Sequence, residues 1–340
     1  MIVLKSLLLA AHLLVMNIAA AGPLAAVVIQ FCGTGQHDDL RRLGRKIAAS
    51  SLACLFIGLV IGLLSGVVMW QTGEDRFFQA LARFPSKIFF GVWELAFYVL
   101  CMGIYIAWWF RPPKSLVPNL LFALVGLAAA SNMLLQFHAL MTAIAHIAAT
   151  EPIGEDIGPG AFRELIFTPH LMSRWLHIWM ASFATTGLFV SWYALRVASN
   201  ELGEQEDDNT AGDPLQSAVA CGGRVALAAT LLQIPLGMWL LLNSPQAEQS
   251  RLMGGDWLAT GLFLASLIAA IALMHQLAAI ALGSGDSRNI KIASVTLVLT
   301  ILFMSATLLL ARGDAFRPTN RGDDLPQANQ VGATPSGQRT

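Results

Sequence analysis

Apolar residues along this chain gather in long blocks separated by brief polar stretches. Eight blocks lie at about 6–31, 47–70, 87–110, 118–149, 170–197, 217–242, 256–282 and 290–311. Each matches the ~20 residues that a helix needs to cross a hydrocarbon core. A helix satisfies its own backbone hydrogen bonds, so runs of this length predict membrane-spanning helices. Turn formers fall between them: Gly33 and Gly35, Gly73, Pro112-Pro113, Pro152, Gly158-Pro159-Gly160, Pro245, and Gly283 and Gly285. The first block continues through Pro23 to Phe31 and carries His12 and Asn17. It therefore predicts a retained helix rather than a cleaved export signal. A polar linker occupies 200–214, and the tail 313–340, rich in Gly, Pro, Gln and Asp, is expected to be disordered.

Composition sharpens this picture. Residues are 56% hydrophobic and 12% charged, with a mean hydropathy of +0.62. No soluble domain of 340 residues hides so much apolar surface, so the expected fold is an all-α polytopic membrane protein. The formal net charge is zero, which leaves no basic footprint for nucleic acid. The four cysteines, Cys32, Cys54, Cys101 and Cys221, form neither C-x-x-C nor C-x-x-C-H, so neither a zinc site nor covalent haem c is indicated.

Basic residues follow the odd-numbered spans: Arg41, Arg42, Arg45 and Lys46, then Arg111 and Lys114, Arg196, and Arg288 and Lys291. The loop 150–164 is mostly acidic. The bias places the N-terminus outside a cytoplasmic membrane, although Arg312, Arg317 and Arg321 run against it. A weak repeat is also present. His12 precedes Gly22 by ten residues, as His177 precedes Gly187, and Arg45 precedes Gly58 by thirteen, as Arg224 precedes Gly237. This predicts two four-helix halves, 1–150 and 151–312, related by an axis along the membrane normal.

Polar groups inside the spans are the functional candidates, because an ionisable side chain at that depth is costly without a partner. His12, Glu94, His138, His146, His170 and His177 fall toward the outer face; His275 lies near the inner end of its span, and His37 in an inner loop. Ala181, Ala184 and Leu188 share the helix face of His177, and Ala19 and Ala20 follow His12 two turns on. Small residues beside an imidazole leave a recess for a planar macrocycle, and neutral imidazole is a good ligand for haem iron. The competing reading is that the histidines bond across helices and the small residues allow close packing. His146 and His170 read as interfacial and His275 as structural. Glu94 reads as a proton carrier, or as a carboxylate linked to an arginine such as Arg174 or reaching the surface.

The stretch "FTPHLMSRWLHIWMASFATTGLFVSWYALR" resembles the fifth helix of subunit I of cytochrome bd-type terminal oxidases. "GLLSGVVMWQTG" is similar to that family's second helix, "ELAFYVLCMGIYIAWW" to its third, and "ASN" at 130–132 to a Ser-Asn pair in its fourth. The first helix, with His12 and Gly22-Pro23, resembles the family's first. The resemblance covers residues 1 to about 240. It implies that His177 and His12 are axial ligands of b-type haem, one or two and non-covalent, and that Glu94 lies on a proton path. His138, Met238 and Met274 are candidates for a further ligand. The family's long quinol-binding loop between helices six and seven is replaced here by "NSPQAEQSRLMGG", and its C-terminal Gly-Arg-Gln-Pro-Trp stretch is missing. The expectation is therefore an electron-transfer subunit working with other membrane subunits of a respiratory complex. A c-type cytochrome would donate electrons from the outer face. The alternatives are a shortened oxygen-reducing oxidase and a haem-free transporter or structural subunit.

Overall fold

The computed structural model describes residues 1–32, 38–110, 115–202, 213–283 and 285–313. Outside them lie Gly33, Gly35, His37, Arg111, Pro112-Pro113, Lys114, most of the 200–214 linker, and the tail with Arg317 and Arg321. The described chain is helical, without strands, and eight of its helical stretches are long and apolar enough to cross a membrane.

The first span is α1 (Ile2–Cys32) and the second α2 (Asp38–Gln71), followed by a short α3 (Asp75–Ala82) and the third span, α4 (Pro85–Trp108). The fourth span joins α5 (Leu116–Ser131), a π-helical segment (Asn132–Phe137) and α6 (His138–Thr150). After α7 (Pro159–Ile166) come the long α8 (Pro169–Leu202) and α9 (Asp213–Asn243). A short α10 (Gln246–Ser250) and the turn Arg251–Gly255 lead to α11 (Trp257–Ala281) and α12 (Ser287–Arg312).

The basic cluster expected in a loop after the first span is helical instead. Arg41, Arg42, Arg45 and Lys46 form the first turns of α2, led by Asp38 and Asp39. Acidic residues in a first turn complement the helix dipole, and Arg and Lys are good helix formers. α1 continues through Pro23. Proline there removes the bond to the carbonyl of Ala19, and the buried Tyr98 hydroxyl donates to that oxygen at 2.6 Å.

α1 packs chiefly against α2, α8 against α9, and α1 in turn against α8 and α12. One large core draws residues from both halves, including Ala19, Ala20, Leu55, Tyr98, Tyr105, Met133, Leu188, Leu277 and Leu297. A smaller core joins α3, α6 and α7 around Phe84, Ile144 and Phe162. α3, α7 and α10 all lie at the end of the bundle where α1 begins. Lys5 pairs with Glu74, Arg76 reaches the carbonyls of Ala149 and Thr150, and Arg251 donates to the Leu310 carbonyl at 3.2 Å. Large apolar side chains such as Phe56, Val60, Leu63, Phe89, Trp93, Ile268 and Val295 point outward, as a lipid-facing surface requires.

Candidate functional site

His12 sits on α1 facing α2. Its Nδ1 lies 2.9 Å from the Gly58 carbonyl oxygen, which can only accept, so Nδ1 carries the proton and Nε2 keeps its lone pair. A Cβ added to Gly62 would come within 2.9 Å of the His12 Cε1. The ring therefore rests directly on the α2 backbone, with the glycine providing the room.

His138 shows the same arrangement by a different route. The π-helical segment before it widens the helix by one residue per turn and frees carbonyls from the usual ladder. The His138 Nδ1 takes the Met133 carbonyl at 2.9 Å, again leaving Nε2 bare. The indoles of Trp175 and Trp179 donate to the Leu134 carbonyl at 3.1 and 2.7 Å. The distorted turn thus ties the fourth span to α8 on either side of His177. α1 packs against the π segment, so the fold brings the spans of His12 and His138 together.

His177 occupies the corresponding place in the second half. Its ring lies beside Gly237 of α9, where a Cβ would stand 3.6 Å from Cε1. The Gln233 backbone faces the ring without reaching hydrogen-bond geometry, and Nδ1 is buried with no partner. An offset of 165 residues takes His12, Asn17 and Gly22 to His177, Ser182 and Gly187, and an offset of 175 takes Ser51, Gly58 and Gly62 to Ala226, Gln233 and Gly237. The contacts follow these offsets. A Cβ on Gly22 would run into Ser51 and one on Gly187 into Ala226. Gly62 against His12 and Gly237 against His177 are therefore like contacts, one turn away from the pairing of Gly58 with Gly237 read from the sequence.

Glu94 is half-buried on the inward stripe of α4 that also carries Gly91, Tyr98, Cys101, Met102 and Tyr105. Asn132, the first residue of the π segment, donates to the Glu94 carbonyl at 2.5 Å. Glu94 thus adjoins the segment that holds His138. The nearby cation is Lys87, one turn nearer the start of α4 than Gly91. The link to Arg174 weighed from the sequence is not made, because Arg174 pairs with Glu248 at 3.4 Å.

The expected recesses are filled. Ala19 and Ala20 are fully buried in the main core, and Ala184 and Leu188 are covered, while Ala181 is partly open. Neighbouring helices take up the small-residue faces. His146 and His170 form a pair with ring centres 5.3 Å apart beside Arg174 and Glu248, an arrangement invisible in the sequence because its members come from three elements. His275 is exposed on α11, away from the other histidines. Among the described residues, no group of three or more His, Cys, Asp or Glu side chains forms a metal cluster. The donor set instead suits a cofactor that brings its own equatorial ligands and needs one imidazole from the protein.

No family model matches the sequence, and no curated protein matches it. A solved structure does match in fold: the structure of bd oxidase from Geobacillus thermodenitrificans, at a TM-score of 0.65 and 15% identity, covering 91% of this chain and 86% of that one. The chain therefore has a bd-oxidase-like fold.

Proposed function

We propose that this multi-pass membrane protein is a b-type haem electron-transfer subunit of the kind resembled by cytochrome bd oxidase subunit I, acting within a larger respiratory complex. The observation that carries the reading is the treatment of His12 and His138. Each has Nδ1 fixed on a main-chain carbonyl at 2.9 Å, which leaves Nε2 as a basic, oriented nitrogen. The proposed repeat would make His177 the counterpart of His12, and the His177 Nδ1 is buried without a hydrogen-bond partner. The imidazole donors suit haem, with His12 and His177 as axial ligands and His138 as a third candidate; the Ala faces beside them are covered by neighbouring helices and would not form its recess. Bound haem would supply a one-electron iron couple. The chain's own part is to fix the imidazoles, exclude water with the surrounding Ala-rich core and hold Glu94 as a proton-relay carboxylate.

The proposed division is two four-helix halves, 1–150 and 151–312. The proposed setting is a cytoplasmic membrane with the N-terminus outside. It is supported by Arg41, Arg45, Lys46, Arg196 and Arg224, which gather at the end opposite His12. A c-type cytochrome approaching the histidine end is the proposed donor. The test is a pyridine haemochrome assay on protein expressed with ample haem. Stoichiometric b-type haem is expected. Folded, colourless protein would overturn the reading and favour the haem-free transporter alternative.

A further inference from the structure

We propose that the end of the bundle opposite His12 carries a binding pocket for the phosphate headgroup of an anionic phospholipid. The pocket is lined by Asp38, Arg41, Arg42 and Arg45 of α2 and by Trp109 and Phe110, just past the end of α4. Gly44 shapes it. A Cβ there would run into the Trp109 ring, so the glycine lets the indole lie against α2 with only 5% of its surface exposed. Phe110 is 65% exposed, and the Arg45 guanidinium sits 4.8 Å from its ring centre.

Arg41 and Arg45 bring two guanidinium groups to a lining that holds one carboxylate, Asp38, which suits an anion better than a cation. Arg41 is engaged with Asp38 through Nη1 at 2.9 Å, yet its Nε is buried without a hydrogen-bond partner. The Arg41 side chain as a whole is 40% exposed, so it is free to turn this donor toward a phosphate oxygen. The planar guanidinium fork matches phosphate geometry, which favours Arg over Lys in such a pocket.

The position argues for a lipid rather than free phosphate. α2 is 34 residues long, well beyond the ~20 that cross the hydrocarbon core, so its first turns reach the headgroup layer. Indole and phenyl rings beside arginines are the side chains that settle at this level. Leu100 and Ile104 of α4 are exposed, so the nearby helix surface is apolar, as acyl chains require. Basic pockets between spanning helices are known to take anionic headgroups in this way.

The test uses delipidated full-length protein in neutral detergent. Phosphatidylglycerol or phosphatidylcholine is added, and retained adducts are counted by native mass spectrometry. Phosphatidylglycerol should be retained in preference. Arg41→Gln with Arg45→Gln should lower its retention by about fivefold per arginine and leave phosphatidylcholine unchanged. Arg288→Gln with Lys291→Gln, basic positions outside the pocket lining, should have no effect. Should the double pocket variant fail to fold, Arg41→Lys, which keeps the charge and removes the fork, should still weaken retention. Equal retention of the two lipids, equal loss in the control variant, or displacement by inorganic phosphate would overturn the proposal.

Discussion

The Ser182 hydroxyl donates a hydrogen bond to Asn17 Oδ1 at 2.9 Å, and these two positions are each other's counterparts under the 165-residue offset. Equivalent positions touch one another only near a symmetry axis. Asn17 and Ser182 are both buried, and Thr186 adds a bond to the Asn17 carbonyl at 3.2 Å. The junction of α1 and α8 is thus a polar seam within an Ala-rich contact. It explains the buried asparagine in the first apolar block. In hydrocarbon an amide is retained where a partner helix satisfies it.

The first prediction follows. Asn17→Ala and Ser182→Ala should each destabilise the bundle, and the pair should couple by roughly 0.5–2 kcal/mol in a double-mutant cycle. Unfolding in mixed micelles measures it. Strict additivity would show that the bond contributes nothing to holding the halves together.

Gly62 and Gly237 are equivalent but not equally tight. A Cβ would stand 2.9 Å from the His12 ring in the first case and 3.6 Å from the His177 ring in the second. Gly62→Ala should therefore push His12 off the Gly58 carbonyl, whereas Gly237→Ala makes an ordinary van der Waals contact. The expected outcome is a shifted haem spectrum for Gly62→Ala and a wild-type spectrum for Gly237→Ala. A reversed order would contradict the contact geometry.

Much of this was legible in the chain. Eight apolar blocks gave eight spans because in lipid the backbone has few other options. Gly62 lies against His12 as Gly237 lies against His177, a pairing the sequence did not suggest because Gly and Ala are common throughout and matching two glycines carries little information. The π segment left no pattern to read. Asn132–Phe137 is apolar and helix-forming, and its widening shows only in which carbonyls Trp175, Trp179 and His138 find. The partner of Arg174 was equally hidden. Sequence offered Glu94 as the nearest intramembrane carboxylate, but the short connection after α9 folds back to deliver Glu248.

His177 and His275 make a clean comparison. His177 is half-buried against α9 with an unpartnered Nδ1, whereas His275 is exposed on α11. If His177 ligates haem, His177→Ala should remove a low-spin α-band while membrane insertion is preserved, and His275→Ala should leave the spectrum unchanged. Identical reduced-minus-oxidised spectra for wild type and His177→Ala would remove it from the ligand set.

The ion pair of Arg174 and Glu248 is 3.4 Å long, and its two side chains are only 12% and 14% exposed. Glu248→Gln leaves a buried guanidinium without its counter-charge beside His146 and His170. Breaking one side of such a pair should cost about 3 kcal/mol, and Arg174→Met combined with Glu248→Leu should cost less than either single change. Thermal or denaturant unfolding checks the order. A harmless Glu248→Gln would show that solvent reaches the pair.

The last prediction concerns the reaction. In the resembled family, a long loop between the sixth and seventh helices binds quinol. Here the connection from α9 to α11 is α10 and one turn, closed by Gly254 at a φ of +113°, a conformation suited to glycine. Two of its charged side chains are engaged: Glu248 pairs with Arg174, and Arg251 donates to the Leu310 carbonyl. A connection this short has too few residues for a separate quinol-binding domain. The purified chain in lipid should therefore show no quinol-driven oxygen uptake. Its haem should instead be reducible by a small or protein donor reaching the end where His12 and His138 lie, since the other end is most of a ~30 Å core away. An oxygen electrode decides the matter. Steady uptake, blocked by cyanide and lost in His12→Ala, would make the chain a shortened oxidase and place oxygen chemistry at His12.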